Sequence, residues 1–158
     1  MGGTADMQGG LNLYNLHIVP PTIRHLAYLY AHIRQEDMAE CLMSSGRNFL
    51  DTRITDLVRI GTMAVVDDNN ICLAIGGIHK GMVWLICSKA LKGHEVSFAR
   101  LMRETLRESL KSSHRLSNRV WRGNKLHIKW LKWLGAKETK RDNDFIYFEF
   151  TMGRLERK

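Results

Sequence analysis

The stretch that most constrains the fold of this chain is RVWRGNKLHIKWLKWLGA, which runs from residue 119 to residue 136. Its start is typical of a strand, and its apolar residues then recur at three- and four-residue spacing, which is typical of an amphipathic helix. We expect Asn124 to be the N-cap of that helix, because its side chain can accept from the free amides of the first turn. We expect Gly135 to end the helix, because glycine enters the left-handed region without a Cβ penalty.

The remaining pattern predicts further strands and helices in a definite order. The first half is expected to contain a strand over 11–19, a helix over 22–43 with a break near Gln35, a turn at 44–46 and a short helix over 49–60. A meander of three strands follows over 62–66, 71–78 and 82–88, with DDNN as its first turn. The second half is expected to contain a helix over 96–112, a strand over 116–122, a helix over 124–135, a polar turn at 140–144 and a last strand over 145–152. This order predicts a mixed α/β sheet flanked by helices, with a helical crossover between neighbouring strands.

Length and composition indicate one globular domain. The 158 residues are enough to bury roughly two-thirds of the unfolded surface. We expect residues 1–10 to be a flexible tail or a cloning remnant and residues 11–158 to form the domain. No apolar run approaches ~20 residues, and the start of the chain lacks the pattern of a secretory signal. The three scattered cysteines fit reduced thiols and show no zinc-binding spacing, so no metal site is predicted.

Positive charge is concentrated in one third of the chain. Between Lys89 and Lys132, twelve lysine and arginine residues stand against three glutamates, a surplus of nine in a chain of net charge +8. A basic surface attracts phosphate groups, whether of a cofactor or of a nucleic acid. Within this region Lys125, Lys129 and Lys132 share one side of the predicted helix and form a basic interaction face. A solvated surface and a contact surface both stay open at this point.

The strand–Asn–helix–Gly unit resembles the last strand–helix element of the GNAT acetyltransferase family, and the predicted element order is that of the GNAT fold. The resemblance implies that acetyl-CoA would bind where two parallel strands splay apart, with its pyrophosphate on the amides that begin the following helix. Carried onto this sequence, the acyl-CoA site comprises Ile86, Cys87, Ser88, Lys92, Gly93, His94, Glu95, Val96, Ser97, Asn124 and Trp130.

Several of these positions depart from the family pattern. Lys92 takes the place of the Arg or Gln that opens the phosphate loop, while Glu95 and Ser97 stand at the positions of its two small residues. A carboxylate at Glu95 repels a diphosphate and fills space that a glycine leaves free. Leu131 replaces the Tyr with which many of these enzymes protonate the leaving thiolate, and leucine has no proton to give. We therefore expect a vestigial acyl-CoA site without cofactor, or acetyl-CoA as the cofactor if the site is active.

No confident catalytic residue emerges from the sequence. The strands MVWLICS and LSNRVWR contain no carboxylate that could serve as a general base. His79 and His94 are the weak candidates, as a base acting through water and as an anion contact. His127 lies within the apolar arc of its helix and is interpreted as a core histidine, and Cys87 is not interpreted as a nucleophile.

A second resemblance links IVPP, LAIGG and RGNKLHIKWLKWLGA to the small internal virion proteins of short-tailed, autographivirus-type phages. It implies a protein that acts in virion assembly through contacts with virion or host proteins, located in the host cytoplasm or the particle and not secreted. The leading hypothesis is a non-catalytic GNAT-like phage protein. The alternatives are an active N-acetyltransferase that modifies a host or phage target, and a basic nucleic-acid-binding module.

Overall fold

The computed structural model describes residues 12–13, 15–45 and 61–155. The strands in these ranges are β1 (Asn12–Leu13), β2 (Leu16–Val19), β3 (Met63–Asp67), β4 (Cys72–His79), β5 (Met82–Cys87), β6 (Arg115–Trp121), β7 (Lys137–Arg141) and β8 (Phe145–Thr151). The helices are α1 (Ile23–His32), α2 (Gln35–Ser45), α3 (Glu95–Ser113), α4 (Lys125–Trp133) and the short α5 (Met152–Leu155). None of these helices combines the length and the hydropathy needed to cross a membrane.

The strands form one mixed sheet in the order β1-β2-β3-β4-β5-β6-β8-β7. Every neighbouring pair is antiparallel except β5 and β6, which are parallel and are joined through the crossover helix α3. Antiparallel β4 and β5 share six paired positions, whereas β5 and β6 share only the pair Met82 and Ser117. The predicted mixed sheet with flanking helices is confirmed, and its two parallel strands separate soon after they meet.

Helices cover both faces of the sheet. On one face Phe98 from α3 and Trp130 from α4 belong to the same core cluster as Leu85 from β5. On the other face Leu26 and Leu29 from α1 form a cluster that Trp84 and Ile86 join from the same strand. Consecutive side chains of β5 thus enter opposite cores, as the alternation of side chains along a strand requires.

Three local predictions are wrong. The strand expected over 11–19 is two strands, because Asn15 has a positive φ of 64° and turns the chain into a hairpin. Ser44 and Ser45 are helical and extend α2, so the turn expected at 44–46 is absent at those two residues. The turn expected at 140–144 begins later, because β7 extends to Arg141. Every residue of β7 is exposed, so this edge strand lacks the alternation that reveals a half-buried strand. The helix expected over 49–60 lies outside the described residues.

The helix after Asn124 is confirmed, and its two predicted ends have different outcomes. Gly135 has a φ of 85°, and the amides of Gly135 and Ala136 donate to the carbonyls of Lys132 and Leu131 at 3.1 and 3.0 Å. This pair of bonds is a Schellman motif, which satisfies the last carbonyls of the helix. Asn124 precedes the helix, but its side chain makes no capping hydrogen bond, so its predicted capping role is wrong.

The left-handed glycine yields a stability prediction. Gly135→Ala is expected to lower the free energy of unfolding by roughly 1–2 kcal/mol, because an L-residue is strained in this region. Gly153→Ala in α5 is the matched control, since its Cβ would meet nothing within 4 Å. Urea denaturation of both variants checks this, and equal stabilities would contradict it.

Candidate functional site

The diverging end of β5 and β6 forms a gap in the middle of the sheet. Near the start of the pair, the Ser117 amide donates to the Gly81 carbonyl at 2.9 Å, and the Asn118 side chain donates to the Val83 carbonyl at 2.9 Å. No further ladder pair joins the two strands over the described residues. The backbone of Cys87 and of Trp121 at the far end must therefore find hydrogen-bond partners other than the neighbouring strand.

Helix α2 and the residues before it supply those partners. The Arg34 amide donates to the Cys87 carbonyl at 3.0 Å, and Ile33 forms an antiparallel bridge with Ser88. The Asp37 carboxylate accepts from the Cys87 amide, and the Glu40 carboxylate accepts from the Trp121 amide at 3.0 Å. A single helical segment is thus bonded to both sides of the gap.

Asn124, which directly precedes α4, joins this bridge. Its amide Nδ2 donates to Asp37 Oδ1 at 2.8 Å and to Glu40 Oε1 at 3.1 Å. The residue is fully buried, and its Oδ1 has no hydrogen-bond partner. The two carboxylates of α2 therefore hold this side chain by its Nδ2, and its Oδ1 does not accept from the first amides of α4.

A buried thiol and imidazole lie against the same carboxylate. His127 Nε2 is 3.6 Å from Cys87 Sγ and 3.5 Å from Asp37 Oδ1, while its Nδ1 is 3.2 Å from Asn124 Nδ2. Burial raises the pKa of the Cys87 thiol well above its usual range, and the Asp37 charge adds to this effect. Burial also lowers the pKa of His127. The thiol and the imidazole are therefore both neutral near pH 7, so this pair lacks the thiolate that nucleophilic catalysis requires.

The loop before α3 places a carboxylate among the amides of the predicted phosphate cradle. A short 3₁₀ turn over Lys89–Leu91 leads to Gly93, whose φ is 92°. The Gly93 amide donates to Glu95 Oε1 at 2.8 Å, and His94 precedes the helix without a side-chain cap. Glu95 thus uses one of the amides that a phosphate would need.

A basic groove lies at this end of the fold. It is lined by side chains from the start of α2, the loop before α3 and the first turns of α4: Arg34, Gln35, Glu36, Lys89, Leu91, Lys92, Glu95, Lys125, Leu126 and Lys129. Five of these side chains are cationic and two are acidic. The structure therefore brings Lys92 together with two members of the predicted basic face, while Lys132 is exposed outside the lining of this groove.

Other residues of the predicted acyl-CoA site are engaged elsewhere. Ser88 Oγ donates to the Cys72 carbonyl at 2.7 Å and is buried, while Ile86 packs with the α1 cluster on the other face. Trp130 is buried beside Phe98 and His127, whereas Val96 is exposed and Ser97 is half-buried.

The predicted catalytic candidates lie outside the gap. His79 is exposed at the tip of the β4–β5 hairpin, where it pairs with Met82. Five residues of strand separate Met82 from Cys87, or about 16 Å at ~3.3 Å per residue. His94 lies beside the basic groove, and Leu131, at the position of the family's Tyr, is buried in the core below α4.

The sequence pattern did not single out Arg34, Asp37 and Glu40, which hold the gap closed. One signal was present: two carboxylates at i and i+3 lie on the same side of a helix, and Arg34 directly precedes that helix. Nothing in the local pattern indicated that this side faces the interior, because the apolar residues of α2 are spread around the helix and form no clear stripe.

Glu40 makes the stability of the bridge depend on pH. Burial raises its pKa from 4.5 to about 7; Asp37 adds to the rise, and Arg119 and the bonds from Trp121 and Asn124 oppose it. The native state therefore binds more protons than the unfolded state between pH 4.5 and 7, so this group's contribution to stability falls as the pH rises through that window.

This pH dependence is tested by a variant that removes the charge of Glu40 and keeps an acceptor oxygen. Glu40→Gln is expected to gain about 3 kcal/mol of unfolding free energy relative to the native chain as the pH rises from 4 to 8. Urea denaturation across this range is the measurement. Glu36→Gln, an exposed carboxylate on the same helix, is the control and should differ by under ~0.5 kcal/mol throughout. A constant difference for Glu40→Gln would contradict the buried, ionisable bridge.

Solved structures share this arrangement of helices and strands. A GNAT-family acetyltransferase from Bacillus anthracis superposes with a TM-score of 0.67 over 91% of this chain and 99% of its own, at 13% identity. The spermidine N-acetyltransferase from Vibrio cholerae, in complex with CoA and spermine, has a TM-score of 0.65 over 90% of this chain and 98% of its own, at 12% identity. At this identity the likeness shows the fold alone, and it confirms the predicted GNAT fold.

Sequence comparison finds a relative of higher identity than these structures. "Probable scaffold protein gp13" of Escherichia phage T7 is 35% identical over 92 residues, which are 51% of this chain and 64% of that protein. The match thus spans less than two thirds of the relative's length. A family model described as "Bacteriophage T7, probable scaffold protein Gp13" matches residues 62–141, from the start of the meander to the end of β7. This chain, which has a GNAT fold, therefore belongs to that phage Gp13 family.

Proposed function

We propose that this chain is a virion-assembly protein that acts through protein–protein contacts and does not transfer acyl groups. The observation that carries the proposal is the bridge across the β5–β6 gap, where Asp37 and Glu40 bond to the backbone amides of Cys87 and Trp121. Membership of a family named for a phage scaffold protein supports the assembly role.

The bridge opposes cofactor binding directly. In a GNAT enzyme the splayed strands receive the acyl-CoA, so their free backbone groups are part of the ligand site. Here Cys87 bonds through both its amide and its carbonyl to the segment from Arg34 to Asp37. A cofactor would have to displace α2 and leave buried carboxylates without partners, which costs several kcal/mol per charged group.

Two further features support the same conclusion independently. Glu95 holds the Gly93 amide, so a diphosphate would meet a negative charge in place of a donor. Leu131 is buried among apolar side chains and offers no acid for a leaving thiolate. The three obstacles lie in different elements, so removal of one leaves the other two in place.

The basic groove is the surface that we assign to partner contact. Arg34, Lys89, Lys92, Lys125 and Lys129 present five cations around a floor that includes Leu91 and Leu126. Cations around an apolar floor fit an acidic segment of another virion or host protein, because charge complementarity steers association and fixes register. We expect contacts of this kind to form in the infected host cell, with the protein also carried in the forming particle.

Acetyl-CoA titration tests the non-catalytic part of the proposal. The native chain is expected to show no binding by isothermal calorimetry at millimolar acetyl-CoA. Glu95→Gly restores the small residue of the phosphate loop. This variant is also expected to show no acetyl-CoA binding and no acetyl transfer, because the gap stays closed. Micromolar binding by the native chain, or acetyl transfer to any amine, would favour the enzyme instead.

Charge reversal in the groove tests the contact surface. The double variant Lys125→Glu/Lys129→Glu, supplied to a phage that lacks this gene, is expected to lower the yield of infectious particles at least about tenfold, the effect of ~1.4 kcal/mol at an interface. The control Lys111→Glu/Lys137→Glu carries the same charge change on exposed residues outside the groove.

Equal yields from the two double variants would contradict the assignment of the groove. Retention of the native chain on DNA is the test of the nucleic-acid alternative. If that retention falls with salt and is lost in Lys125→Glu/Lys129→Glu, the groove binds nucleic acid and the protein-contact assignment is overturned.

A further inference from the structure

The closed gap brings together three classes of metal ligand from three separate elements. Asp37 lies on α2, Cys87 ends β5 and His127 lies on α4, and all three are buried. One carboxylate oxygen, one sulfur and one imidazole nitrogen lie within 4.8 Å of one another. The described residues hold no other group of three such side chains with this spacing.

Two of the three distances among these atoms match the edges of a tetrahedral zinc site. With Zn–S near 2.3 Å and Zn–N and Zn–O near 2.0–2.1 Å, the donor atoms of a tetrahedron lie roughly 3.3–3.6 Å apart. The Cys87 Sγ to His127 Nε2 distance is 3.6 Å, and the His127 Nε2 to Asp37 Oδ1 distance is 3.5 Å. The same atom, His127 Nε2, faces both Cys87 and Asp37, as ligands of a shared ion would. In a catalytic Cys–His–Asp relay the two partners would instead face different nitrogens of the ring.

The surroundings provide the second shell that such an ion needs. Arg34 Nη1 and Asn124 Nδ2 hold Asp37 Oδ1 at 3.2 and 2.8 Å, which orients the carboxylate. Bound zinc with a thiolate and a carboxylate has no net charge, so the ion can be buried without a large desolvation cost. His127 also lines a mainly apolar cavity of about 130 Å³ between the sheet and helices α3 and α4.

We propose that Asp37, Cys87 and His127 bind one Zn²⁺ ion, which fastens α2 across the β5–β6 gap. The site is structural, because its ligands cross-link three elements and the Cys87 side chain is fully buried. Binding releases the thiol proton of Cys87, so affinity rises with pH. The inference stands apart from the assembly role, since a closed gap requires no particular partner.

Cobalt substitution is the test, because Co²⁺ bound by a thiolate shows a near-ultraviolet charge-transfer band. The full chain is unfolded under reducing conditions, refolded with Co²⁺ and freed of excess metal. One equivalent of bound metal and a thiolate band are expected, together with a higher melting temperature than that of the chain refolded with chelator. Refolding with Zn²⁺ should give the same stoichiometry by elemental analysis.

Variants then assign the ligands. Cys87→Ser, which keeps the volume of the side chain, should lose the band and at least ~tenfold in affinity. Cys72→Ala removes the other buried thiol, which bonds to the Ala74 carbonyl, and should keep both. Less than a tenth of an equivalent of metal in the native chain, or a band that survives Cys87→Ser, would overturn the proposal even if a variant failed to fold.

Discussion

The rest of this structure depends on two hydrogen bonds, which carboxylates of α2 accept from the backbone amides at the ends of β5 and β6. Parallel strands that separate leave backbone amides facing a gap, and a buried amide without a partner costs about as much as a lost hydrogen bond. An enzyme can leave those groups for its cofactor. In this chain Asp37 and Glu40 take them, so the gap is satisfied without a ligand.

Two neighbouring carboxylates can be buried only if their charges are managed. Arg34 pairs with Asp37 at 3.2 Å, and Asn124 donates to both acids. Glu40 receives less compensation, and burial raises its pKa to about 7, so it is close to half protonated at neutral pH. The bridge therefore contains one carboxylate, Glu40, that gains or loses its proton near neutral pH, so part of the negative charge buried in the sheet can be removed by protonation.

Much of the fold could be predicted because its elements carry strong local patterns. The meander, α3 and α4 have the periodicities of strand and amphipathic helix, and Gly135 marks the end of α4. The exposed strand β7 has no such pattern, so only its pairing with β8 reveals it. Asn124 shows a different limit: asparagine is a common N-cap, but here its side chain is held through Nδ2 by two carboxylates from a distant helix.

The candidate site was less predictable, because it also depends on contacts between residues that are distant in the sequence. Asp37, Cys87 and His127 are separated by 50 and 40 residues, so no short spacing indicates that they meet. The altered phosphate loop and Leu131 were visible in the sequence, since family positions can be compared one by one. The closed gap was not visible in the sequence, because it depends on how α2 docks on the sheet. The sequence thus showed where this chain departs from the family pattern, and only the structure shows which groups meet at the gap.

The bridge also connects the interior to the basic groove. Arg34 bonds to Asp37 at one side and lines the groove at the other, next to the exposed Glu36. Lys125 follows Asn124 directly, so the residue that binds both carboxylates also fixes the start of the helix carrying Lys125 and Lys129. Anything that loosens the bridge therefore alters the relative positions of the cations in the groove. In the function that we propose, the closed β5–β6 gap thereby holds the groove rigid for contact with a partner.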